Sequence, residues 1–187
     1  MNSAAESTPT VLGLVASPHG GARTSLAVQA VLAGARDAGA RTAQVALADE
    51  DRGSVLEAIS GADAVVFGSP TYRATYSSLL KELLENTERG RYGEATAPLR
   101  GTAAAVVLTG ATPHHYLAVD GLRSLLSGFF AVQVLSPGLY LDHSAYTDGG
   151  ELTEAGATLS AAHGRALVDL AAAVRDSPAL QALGPQV

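Results

Sequence analysis

Apolar runs and helix-patterned segments alternate along this chain, and that alternation restricts the fold more than any single motif does. TVLGLVAS, residues 10–17, is stopped by Pro18 and reads as a buried strand. Residues 24–38 carry apolar positions near helical spacing, with Gly39 as a stop. RTAQVAL (41–47) reads as a second strand, residues 54–61 as a short helix capped by Ser54, and ADAVVFGS (62–69) as a third strand. A helix over 76–88 places Leu79, Leu80, Leu83 and Leu84 on one stripe. TAAAVVLTG (102–110) predicts a fourth strand and residues 116–130 a fourth helix. VQVLSPGLYL (132–141) predicts a fifth strand interrupted by Pro137 and Gly138, and residues 153–176 a long alanine-rich last helix. Several strands are apolar on both faces, as strands inside a parallel sheet are. The fold class is therefore α/β, with a parallel sheet and right-handed crossovers.

The chain has 187 residues, 47% of them hydrophobic, which suits one domain with a substantial core. Residues 1–9 are expected as a flexible tail, 10–177 as a single domain and 178–187 as a C-terminal tail. A net charge of −6 argues against a nucleic-acid partner. The absence of cysteine removes disulfides, thiolate metal sites and thiol nucleophiles. No apolar run approaches the ~20 residues of a membrane span, and the first residues lack the pattern of a secretion signal. The expectation is a cytoplasmic protein with no membrane partner.

In a parallel α/β sheet the segments after strands one, three and four leave at the same edge, where ligands of such sheets bind. SPHGGARTS (17–25) offers glycines, the hydroxyls of Ser17, Thr24 and Ser25, the charge of Arg23 and a helix N-terminus. Free N–H groups and the helix dipole favour an anion there. No lysine is present, so it is not a P-loop, nor does it contain GxGxxG. A phosphate cradle and an ordinary serine/threonine cap both remain readings of this loop. In SPTYRATYS (69–77), Pro70 fixes the chain direction and sets Thr71, Tyr72 and Arg73 at the sheet edge. That segment suits a flat heteroaromatic ligand, or else Tyr72 and Tyr76 are half-buried packing residues. TGATPHH (109–115) offers main-chain N–H groups to the polar edge of the same ring. His114 and His115 are adjacent and have no carboxylate cluster near them in sequence, so no metal site is expected. Asp142, His143 and His163 show no partner in the sequence.

Taken together, ASPHGGARTS, FGSPTYRATYSSLLKELLE and LTGATPHHYLAVDGLRSLLSGFFAVQVL resemble the NAD(P)H-dependent FMN reductases of the flavodoxin-like fold. They are most similar to the reductases that supply reduced flavin to alkanesulfonate monooxygenases. The resemblance runs over residues 11–146. It implies a three-layer sandwich around a five-stranded parallel sheet of order 2-1-3-4-5, assembled as a homodimer or homotetramer. It implies FMN as cofactor and NADPH or NADH as co-substrate. Ser17, Arg23, Thr24 and Ser25 would hold the FMN phosphate. Pro70, Thr71, Tyr72 and Arg73 would line the ring, and Thr109, Gly110, Ala111 and Thr112 its pyrimidine end. Tyr76 and Ser77 would lie near the ring or the dimer contact. Arg73 is a candidate for a nicotinamide phosphate. Electrons would pass to free flavin, a partner flavin-dependent monooxygenase or a small quinone-type acceptor. No catalytic side chain is implied, because the chemistry belongs to the cofactor. A flavodoxin-type electron carrier without NAD(P)H turnover is the alternative.

One departure from that family stands out. Its monooxygenase-linked members carry an extra residue after a Val-Asp pair, which makes a π-bulge in the fourth helix. Here Asp120 is followed at once by Gly121, Leu122 and Arg123, so a fourth helix without a π-bulge is expected. That would favour a tightly held FMN reducing an acceptor such as a quinone.

Overall fold

The computed structural model describes residues 8–18 and 22–186. The expected tail over 1–9 and the His19-Gly20-Gly21 part of the first loop lie largely or wholly outside them. The chain runs β1 (Thr10–Val15), α1 (Ala22–Asp37), β2 (Arg41–Ala46), α2 (Arg52–Ser60), β3 (Ala64–Tyr72), β4 (Thr75–Tyr76), α3 (Ser78–Glu85), β5 (Ala103–Thr109) and α4 (Ala118–Ser124). It continues through a π-helical turn (Leu125–Phe129) to β6 (Gln133–Val134), β7 (Leu139–Leu141), α5 (Glu154–Asp176) and α6 (Pro178–Ala182).

The sheet is parallel along its main path, β2-β1-β3-β5-β6. Five strands in the order 2-1-3-4-5 were expected; among the described residues the sheet instead has seven segments. Two local features make the difference. Residues 135–138, which include Pro137 and Gly138, split the last strand, so β6 pairs with the start of β5 and β7 with its end. The chain after β3 also folds back on itself, and β4 pairs antiparallel with β3.

Side chains alternate across the central strands, as strand geometry requires. Leu12, Leu14, Val65, Phe67, Val106 and Leu108 face α2, α3 and α4. Val11, Val15, Val66, Ala105 and Val107 face α1 and α5. The result is three layers with two cores. On the second face α1 and α5 pack backbone to backbone. A Cβ on Gly34 would come within 2.0 Å of Ala161 O, and one on Gly164 within 1.9 Å of Val31 O. Only glycine at both positions lets the helices approach so closely.

Helix ends differ from the sequence reading in instructive ways. α2 is capped by Asp51, whose carboxylate accepts from Ser54 N at 3.0 Å, rather than by Ser54 itself. α3 starts at Ser78 rather than at residue 76, because residues 75–76 belong to the hairpin. The expectation of a fourth helix without π geometry is overturned. α4 is regular through Gly121, but its last turn widens into the π turn. Just beyond it, Val132 N donates to Leu126 O at 3.0 Å, and Ala131 is left-handed at φ 58°. The helix is regular at Asp120-Gly121, where the family carries its extra residue, so this π turn lies elsewhere and does not bear on the quinone reading. At the C-terminus, α6 is capped by Ser177, and Leu180 packs on the second core.

Candidate active site at the sheet edge

The carboxyl ends of β1, β3 and β5 lie side by side, so the loops after them form one edge. β1 is flanked by β2 and β3, and that reversal of strand order is where open α/β sheets bind ligands.

The first loop is braced from two directions. Thr24 Oγ1 and Thr109 Oγ1 are buried and 2.8 Å apart, which joins the first turn of α1 to the end of β5. Tyr146, from the segment after β7, donates its hydroxyl to Arg23 O at 3.0 Å. The Arg23 guanidinium sits 5.2 Å from the centre of the same phenol ring, within cation–π range. Burial pushes the Tyr146 hydroxyl up to about 12, with the Arg23 charge pulling the other way. Arg23 itself is exposed, so its charge is presented at the edge. Ser17 is buried, and Ser25 is half-buried in the first turn of α1.

The second loop is a hairpin rather than an irregular segment. Thr71 pairs with Tyr76 and Tyr72 with Thr75, leaving Arg73 and Ala74 as the turn. Both are left-handed, at φ 48° and 63°, as a two-residue hairpin turn demands. Neither is Gly, Asn or Asp, so the turn holds strain of order 1 kcal/mol or more per residue. Ser77 holds the base of the hairpin. Its hydroxyl caps α3 by accepting from Leu80 N at 3.2 Å and donates to Ala16 O at 2.6 Å, while its N–H donates to Ser69 Oγ at 2.9 Å. Ser77 is fully buried and so ties the second loop to the first. Tyr72 is exposed and Tyr76 half-buried.

Thr71 Oγ1 is buried, makes no hydrogen bond of good distance and angle, and interacts with the Tyr140 hydroxyl. It influences the Tyr140 hydroxyl, which burial pushes above its ordinary value and which Thr71 pulls back. Tyr140, however, gives its proton to Thr112 O at 2.9 Å.

The third loop is pinned from β7 and the residues after it. Gly110 N donates to Leu141 O at 3.0 Å, and a Cβ on Gly110 would lie 1.9 Å from the Tyr140 hydroxyl oxygen. His143 Nδ1 lies 2.7 Å from Ala111 O. A carbonyl can only accept, so this nitrogen carries the proton. Thr109 is buried beneath the edge, Gly110 and Thr112 are half-buried, and Ala111 is exposed. His114 and His115 are exposed on a 3-10 turn, Pro113–His115. Among the described residues no three potential metal ligands cluster. No helix among them is long and apolar enough to cross a membrane.

Sequence reading identified the three loops but missed the residues that brace them. Tyr146, Tyr140 and His143 come from the segment around β7, which carries no motif of its own. His163 Nδ1 lies 2.9 Å from Leu159 O within α5, away from the edge.

Comparison with known proteins places this edge in context. Residues 9–146, which include all three loops, match the family model described as NADPH-dependent FMN reductase. An NADH-dependent FMN reductase, SfnF, from Pseudomonas putida is 34% identical over 91 residues, 49% of this chain and 45% of that protein. The FMN reductase (NADPH) of Escherichia coli K12 is 36% identical over 94 residues, 49% of this chain and 44% of that protein. The chain thus spans about half the length of the curated relatives it matches. Among solved structures, apo NADH:FMN oxidoreductase EmoB superposes with a TM-score of 0.77 at 20% identity, covering 96% of this chain and 97% of that one. A flavodoxin from the domain Archaea gives 0.62 at 14% identity, covering 87% and 99%. These likenesses show a flavodoxin-like α/β fold with a parallel sheet.

Proposed function

Because the chain belongs to the NADPH-dependent FMN reductase family, we propose that it binds FMN across the three converging loops and reduces flavin with NADPH or NADH. The observation that carries this reading is the convergence of the three polar loops at the reversal of strand order, the first and third of them joined through Thr24 and Thr109. The residues present fit FMN. Arg23, Ser17, Ser25 and the free N–H groups of the α1 first turn suit a phosphate dianion. Thr24 acts mainly through its backbone, since its hydroxyl is joined to Thr109. Pro70, Thr71, Tyr72 and Arg73 form a stiff hairpin platform for the ring. The Thr109-Gly110-Ala111-Thr112 segment, fixed by Tyr140 and His143, presents main-chain groups to its polar end.

When bound, FMN supplies hydride acceptance from a reduced nicotinamide and two-electron transfer onward, so no acid or base side chain is required. The chain's task is to hold the ring flat and keep the phosphate anchored. The acceptor is free flavin, a flavin-dependent monooxygenase or a small quinone, and the assembly a homodimer or homotetramer. Steady-state oxidation of NADPH and NADH with added FMN tests the reading. Turnover that saturates with FMN supports it; a chain that does not bind FMN overturns it. Gel filtration after loading separates FMN held as a prosthetic group from FMN released as product. An unchanged KM for NADPH in Arg73→Ala removes Arg73 from nicotinamide binding.

A further inference from the structure

Ser25 Oγ is already engaged on its acceptor side. Gln44 Nε2 donates to it at 2.9 Å and Gln29 Nε2 at 3.3 Å. Gln29 lies one turn further along α1, whereas Gln44 reaches across from the edge strand β2, where it pairs with Gly13 of β1. A serine hydroxyl has two lone pairs and one proton. With both lone pairs taken by amide donors, the proton is the only interaction left to give. Whatever meets Ser25 from outside must therefore accept.

We infer that Gln44, seconded by Gln29, is a positioning residue that turns the Ser25 hydroxyl proton toward the phosphate of bound FMN. This deepens the proposed function and rests on it. Ser25, Gln44 and Ser17 line a cleft of about 230 Å³ beside the end of β1. Asp49 also lines it and is the one charged group there, yet it makes no hydrogen bond with Ser25. The first-turn amides of α1 and the exposed Arg23 lie on the same loop and favour an anion as the acceptor, against the opposing Asp49 carboxylate in the cleft. The competing destination for the proton is a main-chain carbonyl of the preceding turn, as serines within helices often choose.

The test compares dissociation constants for FMN and for riboflavin, which lacks the phosphate. It uses the native chain, Gln44→Leu, Ser25→Ala and the double variant, each checked by thermal unfolding. Gln44→Leu is expected to weaken FMN about five-fold and leave riboflavin unchanged. In the Ser25→Ala background, Gln44→Leu is expected to change nothing further. Gln44→Glu, which keeps the side chain's shape but accepts instead of donating, is expected to weaken FMN more than Gln44→Leu does. An FMN affinity unmoved by Gln44→Leu, an equal loss for riboflavin, or additive effects of the two substitutions would overturn the inference. If Ser25→Ala weakens FMN while the Gln44 variants are silent, the orientation fails and the phosphate site stands. If Ser25→Ala is itself silent, the phosphate assignment of Ser25 fails with it.

Discussion

Thr24 and Thr109 share one buried hydrogen bond, 2.8 Å long, between residues 85 apart in sequence. It joins the loop proposed to hold a phosphate to the loop proposed to meet the far end of the ring. Replacing either with valine leaves a buried hydroxyl without its partner, at a cost of about 1–3 kcal/mol. Replacing both removes the orphan as well as the bond. Chemical denaturation is expected to show the double variant losing less than the two single losses combined. Strict additivity would mean the bond does not couple the loops.

Tyr146 carries the clearest pH signature. Its folded value, raised by burial to about 12, lies above the ordinary 10. The neutral phenol is therefore favoured by folding, a contribution fully present below pH 10 and lost as pH rises toward 12. Ultraviolet titration is expected to show phenol ionisation extending to high pH in the native protein, its highest step lost in Tyr146→Phe while the raised Tyr140 remains. The same variant keeps the ring under Arg23 but loses the bond to Arg23 O, so FMN affinity is expected to fall a few-fold. A native titration with every tyrosine ionising near 10 would contradict this account.

Ser77 combines a helix cap with a link between loops, and neither duty can be moved to a neighbour. Ser77→Ala uncaps Leu80 N and strands Ala16 O. A loss of about 1–3 kcal/mol is expected in denaturation, together with weaker FMN binding. A variant with native stability would show that water replaces both contacts.

The alternation of strands and helices was legible because period-two and helical spacing show directly in the residues. The three loops were legible because glycine, proline and hydroxyl residues mark them. The rest depended on contacts between distant positions. Nothing near Arg23 announces that Tyr146 will cover it from 123 residues away. Nothing in Arg73-Ala74 signals a hairpin, since neither residue prefers left-handed backbone; the β3–β4 pairing and Ser77 impose it. Ser54 and Asp51 are equally good caps in sequence, and only the folded chain chooses Asp51. The π turn was missed because it lies over Leu125–Phe129, downstream of the Asp120-Gly121 pair that drew attention.

Gly164 tests whether the back of the sheet sets the site's shape. Gly164→Ala places a methyl 1.9 Å from Val31 O, a backbone atom that cannot swing aside. α1 must then shift, and the loop at its N-terminus with it. A loss of at least about 1–3 kcal/mol is expected, with FMN affinity falling in parallel. Native affinity in a folded Gly164→Ala protein would show that the loop is decoupled from helix packing.

The most direct measurement is an anaerobic titration of the FMN-loaded chain with NADPH and, separately, NADH, following the visible absorption of the flavin. The account predicts rapid bleaching by at least one of the two, complete at one reduced nicotinamide per flavin. Bound FMN that neither nucleotide bleaches would contradict it and leave an electron carrier as the better description of this edge.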